Sequence, residues 1–279
     1  MFADNVFKSS RKWASIPILQ QERVKAVADR INNDMADKNP LLLAVLNGSF
    51  MFAADLMRML TIPCEISFVK LASYQGTTST GTIKEVIGIK DGYNTFATMH
   101  ILNTKKGVYY VADTLINRHP DAEVLTDIAK LSKQTVEFFN EEPVIAMLSY
   151  SNFGTDEVGS PTRVHQAVEQ MQNEFPNLAI DGEMQVNFAL DKTLRDDKFP
   201  FSRLKGKEVN TLVFPNMSSA NCSYKLLQAL NPDCEIIGPI QMGLNRAIHF
   251  TDFESSVQDV VNITAVAVID AYVEKLTNA

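Results

Sequence analysis

Apolar positions along the 279-residue chain switch repeatedly between two periods, and the switching predicts helices alternating with strands. Val24, Val27, Ile31 and Met35 recur at helical spacing between Pro17 and Pro40 and predict an amphipathic helix. Leu41 to Leu46 is an unbroken apolar run of the kind a buried parallel strand carries. Beyond Asn47-Gly48-Ser49, residues 50–60 predict a helix with Phe52, Leu56 and Leu60 on one face. Strands are then expected at Glu65–Leu71 and Ile83–Ile89, on either side of a polar loop at 73–81.

After Asp91-Gly92, Met99–Leu102 and Val108–Val111 read as a hairpin around Lys105-Lys106-Gly107. A helix at 121–140 and a strand at Val144–Ser149 follow, and Ser160 as N-cap with Pro161 behind it opens a helix running to Phe175. Further strands are expected at Ala179–Asp181, Thr211–Phe214 and Glu235–Ile240, and helices at Ser218–Leu230 and Ser255–Lys275. Such alternation, with right-handed crossovers, implies an α/β fold built as two three-layer α/β/α units.

Composition narrows the class. With 46% apolar and 21% charged residues, the chain reads as globular rather than disordered or coiled-coil. Its most apolar stretch, Val257–Val273, is broken by Asp259, Asn262, Thr264 and Asp270, too polar for a span that needs about 20 apolar residues. No basic-then-apolar leader opens the sequence, so cytoplasm is the expected compartment. Cys64, Cys222 and Cys234 are odd in number and widely spaced, which argues against a disulfide framework or a metal cluster.

The net charge of −7 is unevenly spread: residues 1–92 hold 11 Lys/Arg against 9 Asp/Glu, and 93–279 hold 15 against 24. That step suggests two units, 1–92 and 93–279, of different origin. Neither is basic enough to imply nucleic acid. The expected partner is a small molecule, with no membrane role, in a homo-oligomeric assembly.

In α/β sheets, ligands bind beyond the carboxyl ends of strands, where backbone N–H groups face them. Three connections fit: Leu46-Asn47-Gly48-Ser49, Ser149 to Gly154, and Asn216 to Asn221. Each could cradle a phosphate, and each could equally be a turn whose Ser or Asn caps the next helix. The 73–81 loop reads as a lid or as a solvated hairpin tip. Asp259 reads as charge at the N-terminus of its helix. His100, His119, His165 and His249 show no partner spacing, so no histidine is assigned a metal-binding or catalytic role.

Two resemblances add chemistry. The strings LLLAVLNGSFMFAADL (41–56) and ISFVKLASYQGTTSTG (66–81) resemble the N-terminal half of bacterial hypoxanthine-guanine phosphoribosyltransferases. That likeness implies a pyrophosphate loop at Leu46, Asn47 and Gly48 and a lid at Ser73, Tyr74, Ser79, Thr80 and Gly81, with magnesium as cofactor if this part is active. The family's paired acids and ribose-phosphate loop have no match, the nearest string being VYYVADT (108–114).

The remainder resembles the phosphate acetyl/butyryltransferases, above all the version appended to bacterial NADP-dependent malic enzymes. The resemblance rests on YVADT with Ile116-Asn117, AMLSYSNFG (146–154), DGEMQ (181–185), Phe214-Pro215-Asn216 with Asn221 and Tyr224-Lys225, IGP (237–239) and SSVQDVVN (255–262). It implies acyl-CoA and phosphate contacts near Ser149, Ser151, Asn221, Tyr224, Lys225 and Ser256, with Asp259 as candidate catalytic acid acting on the thiol of coenzyme A. Active members carry a Ser-Arg pair shortly before this last string, where this chain has Asp252 and Phe253. Losing that cation weakens phosphate binding, so acyl transfer is expected to be weak or replaced by acetyl-CoA sensing. Both units are expected to be incomplete relative to their families.

Overall fold

The computed structural model describes residues 18–46, 50–70, 87–231, 233–251 and 255–277. It divides into two units, Met1–Thr82 and Ile83–Ala279.

In the first unit, α1 (Ile18–Asp34) leads to β1 (Leu41–Leu46), α2 (Phe50–Met59) and β2 (Glu65–Lys70). The two strands pair in parallel from Leu41 opposite Glu65 to Leu46 opposite Lys70. Asn32 clamps the helices, donating to the carbonyl of Met59 at 3.1 Å and accepting from the amide of Thr61 at 2.8 Å. The inward faces are rotated from the expected ones. Ala28 is buried while Val27 and Met35 are exposed, and Ala53 and Leu56 turn inward while Phe52 is exposed. Small Ala28 and Ala53 let each helix approach its neighbours closely, which a side chain of Phe52's size would prevent. Most of the expected strand at Ile83–Ile89 lies outside the described residues. Ile89, which belongs to the second unit, makes an isolated bridge with Leu244 of that same unit.

The second unit runs β3 (Ala97–Thr104), β4 (Gly107–Ala112), α3 (Ala122–Phe138), β5 (Val144–Leu148), α4 (Ser160–Glu174), β6 (Ala179–Met184), α5 (Val186–Leu190), α6 (Lys192–Lys198), β7 (Thr211–Val213), α7 (Met217–Leu230), β8 (Glu235–Met242) and α8 (Val257–Thr277). One six-stranded sheet has the order β6-β5-β7-β4-β3-β8. Strands β6, β5, β7 and β4 are parallel, and β3 runs against both its neighbours.

Strand periodicity divides the core into two. Ile145, Met147, Ile180 and Val213 point into one cluster with Leu125, Ile128, Val164, Met171, Ile263 and Val266 from α3, α4 and α8. Ala146, Leu148, Ala179 and Leu212 point into the other with Ala189 of α5, Leu204, and Ala220 and Tyr224 of α7. Helices therefore cover both faces, giving the three-layer α/β arrangement.

One helix boundary shifts and two short helices are additional. Helix α4 starts at Ser160 with Gly159 as its cap, one residue earlier than expected, because Gly159 takes a φ of 79° that a serine would resist. Helices α5 and α6 were not expected. Asp191 ends the first and caps the second by accepting from the amide of Leu194.

Candidate functional site

The carboxyl ends of β4, β5 and β7 share one edge of the sheet, and Asp113 organises the first of them. Its carboxylate is 2% exposed. Oδ1 accepts from the amide and hydroxyl of Thr98 at 2.9 and 2.8 Å and from the amides of Leu115 and Ile116. Oδ2 accepts from the amide and side-chain nitrogen of Asn117, both at 2.6 Å. With six donors on its two oxygens, this side chain acts purely as an acceptor and freezes the turn 113–117.

That acid also fixes the protons of a chain reaching His100. Thr98 spends its one hydroxyl proton on Asp113, so in the 3.0 Å contact with Thr114 it is the Thr114 hydroxyl that donates. With its proton spent, Thr114 Oγ1 accepts from Nδ1 of His100 at 2.9 Å. His100 is thereby held as the tautomer protonated on Nδ1. Burial, followed by the positive charge of Lys225, holds its pKa down to about 4. Gly238 makes room for the ring, since a Cβ there would stand 2.6 Å from His100 Cδ2.

Helix α7 lies over this network. Asn216 caps it by accepting from the amide of Ser219 at 3.0 Å. Asn221 donates to the carbonyl of Thr114 at 3.3 Å, and the ring of Tyr224 stacks on His100 with centroids 4.2 Å apart. Lys225 stands exposed beside them, its Nζ 5.9 Å from the centroid of the Tyr224 ring.

The second cluster joins the β5 loop to β6. Glu183 is 1% exposed, and its Oε1 accepts from the Ser151 hydroxyl at 3.2 Å and the Gly154 amide at 2.6 Å. Its Oε2 makes no hydrogen bond among the described residues and lies 3.4 Å from Nδ1 of His165. Ser149 Oγ is buried in the same loop without a hydrogen-bond partner among the described residues.

The third group is self-contained. Ser256 and Asp259 bond each other, Oδ2 of Asp259 accepting from the Ser256 amide at 2.7 Å and Ser256 Oγ accepting from the Asp259 amide at 3.2 Å. This reciprocal pair is a capping box at the start of α8. The structure thus groups Asn221 and Tyr224 with Thr114, Ser149 and Ser151 with Glu183, and Ser256 with Asp259. Leu46 is the last residue of β1. Asn47, Gly48, Ser73, Tyr74, Ser79, Thr80 and Gly81 lie outside the described residues.

Sequence patterning missed His100, Asp113 and Glu183. One signal was present: His100, Asp113 and Glu183 are the polar residues within or directly after strings that otherwise read as buried strand.

This fold, with polar loops gathered at the carboxyl edge of a mostly parallel sheet, defines a three-layer α/β domain. The sequence pattern of the phosphate acetyl/butaryl transferases matches residues 67–268, and the chain belongs to that family. A phosphoribosyl transferase domain pattern matches residues 16–108, so the chain has two parts whose matches overlap. An NADP-dependent malic enzyme from Escherichia coli is 39% identical over 70% of this chain and 25% of its own length. A phosphate acetyltransferase from Clostridium acetobutylicum is 36% identical over 60% of this chain and 50% of its own. The crystal structure of a phosphotransacetylase from Streptococcus pyogenes superposes with a TM-score of 0.60 at 30% identity, covering 74% of this chain and 62% of that one. The chain therefore spans about a quarter of the malic enzyme and half of the acetyltransferase.

Proposed function

We propose that residues 93–279 bind an acyl-CoA or acyl phosphate at the carboxyl ends of β4, β5 and β7, as a sensing domain whose acyl transfer is weak. The observation that carries the reading is the seating of α7: Asn221 on the Thr114 carbonyl and Tyr224 on His100 hold three of the expected contact residues, with Lys225, over the β4 end. The buried hydroxyl of Ser149, lacking a partner among the described residues, supports the second contact. Weak turnover is supported by Asp259, whose Oδ2 is already engaged by Ser256, and by Asp252 and Phe253 standing where active members carry Ser-Arg. Without that cation, little is available to stabilise a tetrahedral oxyanion.

Calorimetric titration with acetyl-CoA and acetyl phosphate tests the binding, and phosphate-dependent release of coenzyme A from acetyl-CoA tests the chemistry. Saturable binding with little or no release is expected. The absence of binding to both ligands refutes the reading, and fast release refutes the sensing role. Homo-oligomerisation is part of the proposal, supported by Val261, Val268, Ile269 and Tyr272 lying exposed on α8, and sedimentation velocity measures it.

The phosphoribosyl transferase match supports a second reading, a purine phosphoribosyltransferase acting with magnesium through residues 46–81. Formation of inosine monophosphate from hypoxanthine and phosphoribosyl pyrophosphate is its assay. No product is expected, because nothing in the sequence matches that family's ribose-phosphate loop.

A further inference from the structure

The turn between α6 and β7 is held from inside and decorated outside. Asp181, buried on β6, accepts from the Ser202 hydroxyl at 2.7 Å and the Arg203 amide at 2.8 Å. Arg195, fully buried, donates to the carbonyls of Leu204 and Lys207 from one nitrogen and of Ala189 and Phe188 from the other. A segment tied to a buried acid and a buried cation keeps its shape, so what it presents outward is presented rigidly. Outward stands Phe201, 68% exposed, with its ring 5.1 Å from that of Phe153 and 6.0 Å from that of Phe199.

The charges around this ring are unbalanced. Arg203 and Lys205 are exposed and carry no ion pair among the described residues. The neighbouring acids are engaged: Asp196 by the Gly206 amide, Asp197 by Lys198, and Glu208 by Lys192. An aromatic face beside two free cations matches a base carrying phosphates. Phe153 belongs to the Ser149–Gly154 loop, and 5.1 Å between the rings plus two residues of chain puts the Phe201 ring within about 16 Å of Ser151, on the scale of an extended pantetheine arm.

Resting on the acyl-CoA reading above, we propose that Phe201, Arg203 and Lys205 form the subsite for the adenosine-phosphate end of the ligand, the ring stacking on the purine and the cations meeting the phosphates. The test titrates the full chain with coenzyme A, adenosine 3′,5′-bisphosphate and pantetheine. It compares wild type with Phe201→Ala and with the double variant Arg203→Gln/Lys205→Gln. All three side chains project into solvent, so circular dichroism and melting are expected to match wild type.

Each variant should weaken coenzyme A and adenosine bisphosphate about tenfold and leave pantetheine unchanged. Coenzyme A binding equally to all three proteins overturns the subsite and leaves the acyl-CoA reading standing. Adenosine bisphosphate binding that depends on Phe201, with no coenzyme A binding, upholds the subsite and overturns that reading. No binding of either nucleotide overturns both. A change of sedimentation coefficient in Phe201→Ala with nucleotide binding intact makes the patch a contact between copies and overturns the proposal.

Discussion

Replacing His100 with Phe separates the proton chain at β4 from the rest of the fold. A free imidazole titrates near 6.5, and burial with the charge of Lys225 holds this one to about 4. The unfolded chain therefore binds a proton across that interval and the native chain does not. The stability this group contributes is intact above about pH 7 and is lost as pH falls through 6.5 towards 4. At about 1.4 kcal/mol per pH unit the loss reaches roughly 3 kcal/mol at pH 4 and about 1.4 kcal/mol by pH 5.5.

Phenylalanine keeps a ring against Tyr224 but removes the Nδ1 donor to Thr114 Oγ1, whose own proton still goes to Thr98. Losing that one bond costs about 1 kcal/mol at neutral pH. Urea denaturation followed by circular dichroism at pH 7.5, 5.5 and 4.5 measures the difference. His100→Phe should be less stable by about 1 kcal/mol at pH 7.5, match wild type at about pH 6, and exceed it by about 1.5 kcal/mol at pH 4.5. Carboxylate titration is common to both proteins and cancels. Parallel stability curves across this range would refute the assignment, as would nitrogen chemical shifts placing the native proton on Nε2.

Asp113→Asn puts an amino group among six donors, and a drop of about 3 kcal/mol in the same denaturation experiment is expected. Gly182→Ala combines a φ of 148° with a Cβ 2.4 Å from the carbonyl oxygen of Met147, so the β5–β6 pairing must shift. A melting temperature lowered by the equivalent of at least about 2 kcal/mol is the expected reading. Asp259→Ala removes half of the capping box and should cost about 1 kcal/mol, seen as faster amide exchange confined to the first turn of α8.

The elements most legible in the sequence are those whose pattern is local. Strand β5 alternates Ile145 and Met147 with Ala146 and Leu148 and is buried on both faces, and the β3–β4 hairpin turns at Lys105-Lys106-Gly107 as its composition demands. The apolar pattern predicts a strand only over Ala179–Asp181; in the structure β6 continues to Met184. Asp181 is bonded by Ser202 and Arg203, and one oxygen of Glu183 by Ser151 and Gly154, partners 21 to 32 residues away that no window reveals. His100 escaped notice for the same reason, since Thr114 and Tyr224 give it meaning only after β3 and β4 pair and α7 docks.

Strand β3 runs against its neighbours, so its first residues, and not its last, arrive at the edge where the loops gather. The β3–β4 turn at Lys105 and Lys106 is accordingly carried to the far edge, roughly 20 Å of strand from Thr98. Lengthening it would cost an exposed Lys105–Asp233 ion pair of small worth and the turn's own bonds among Thr104, Lys106 and Gly107. The reversal gives the domain a port, a position where an epitope or fluorophore could be spliced into the chain at a distance from the ligand edge.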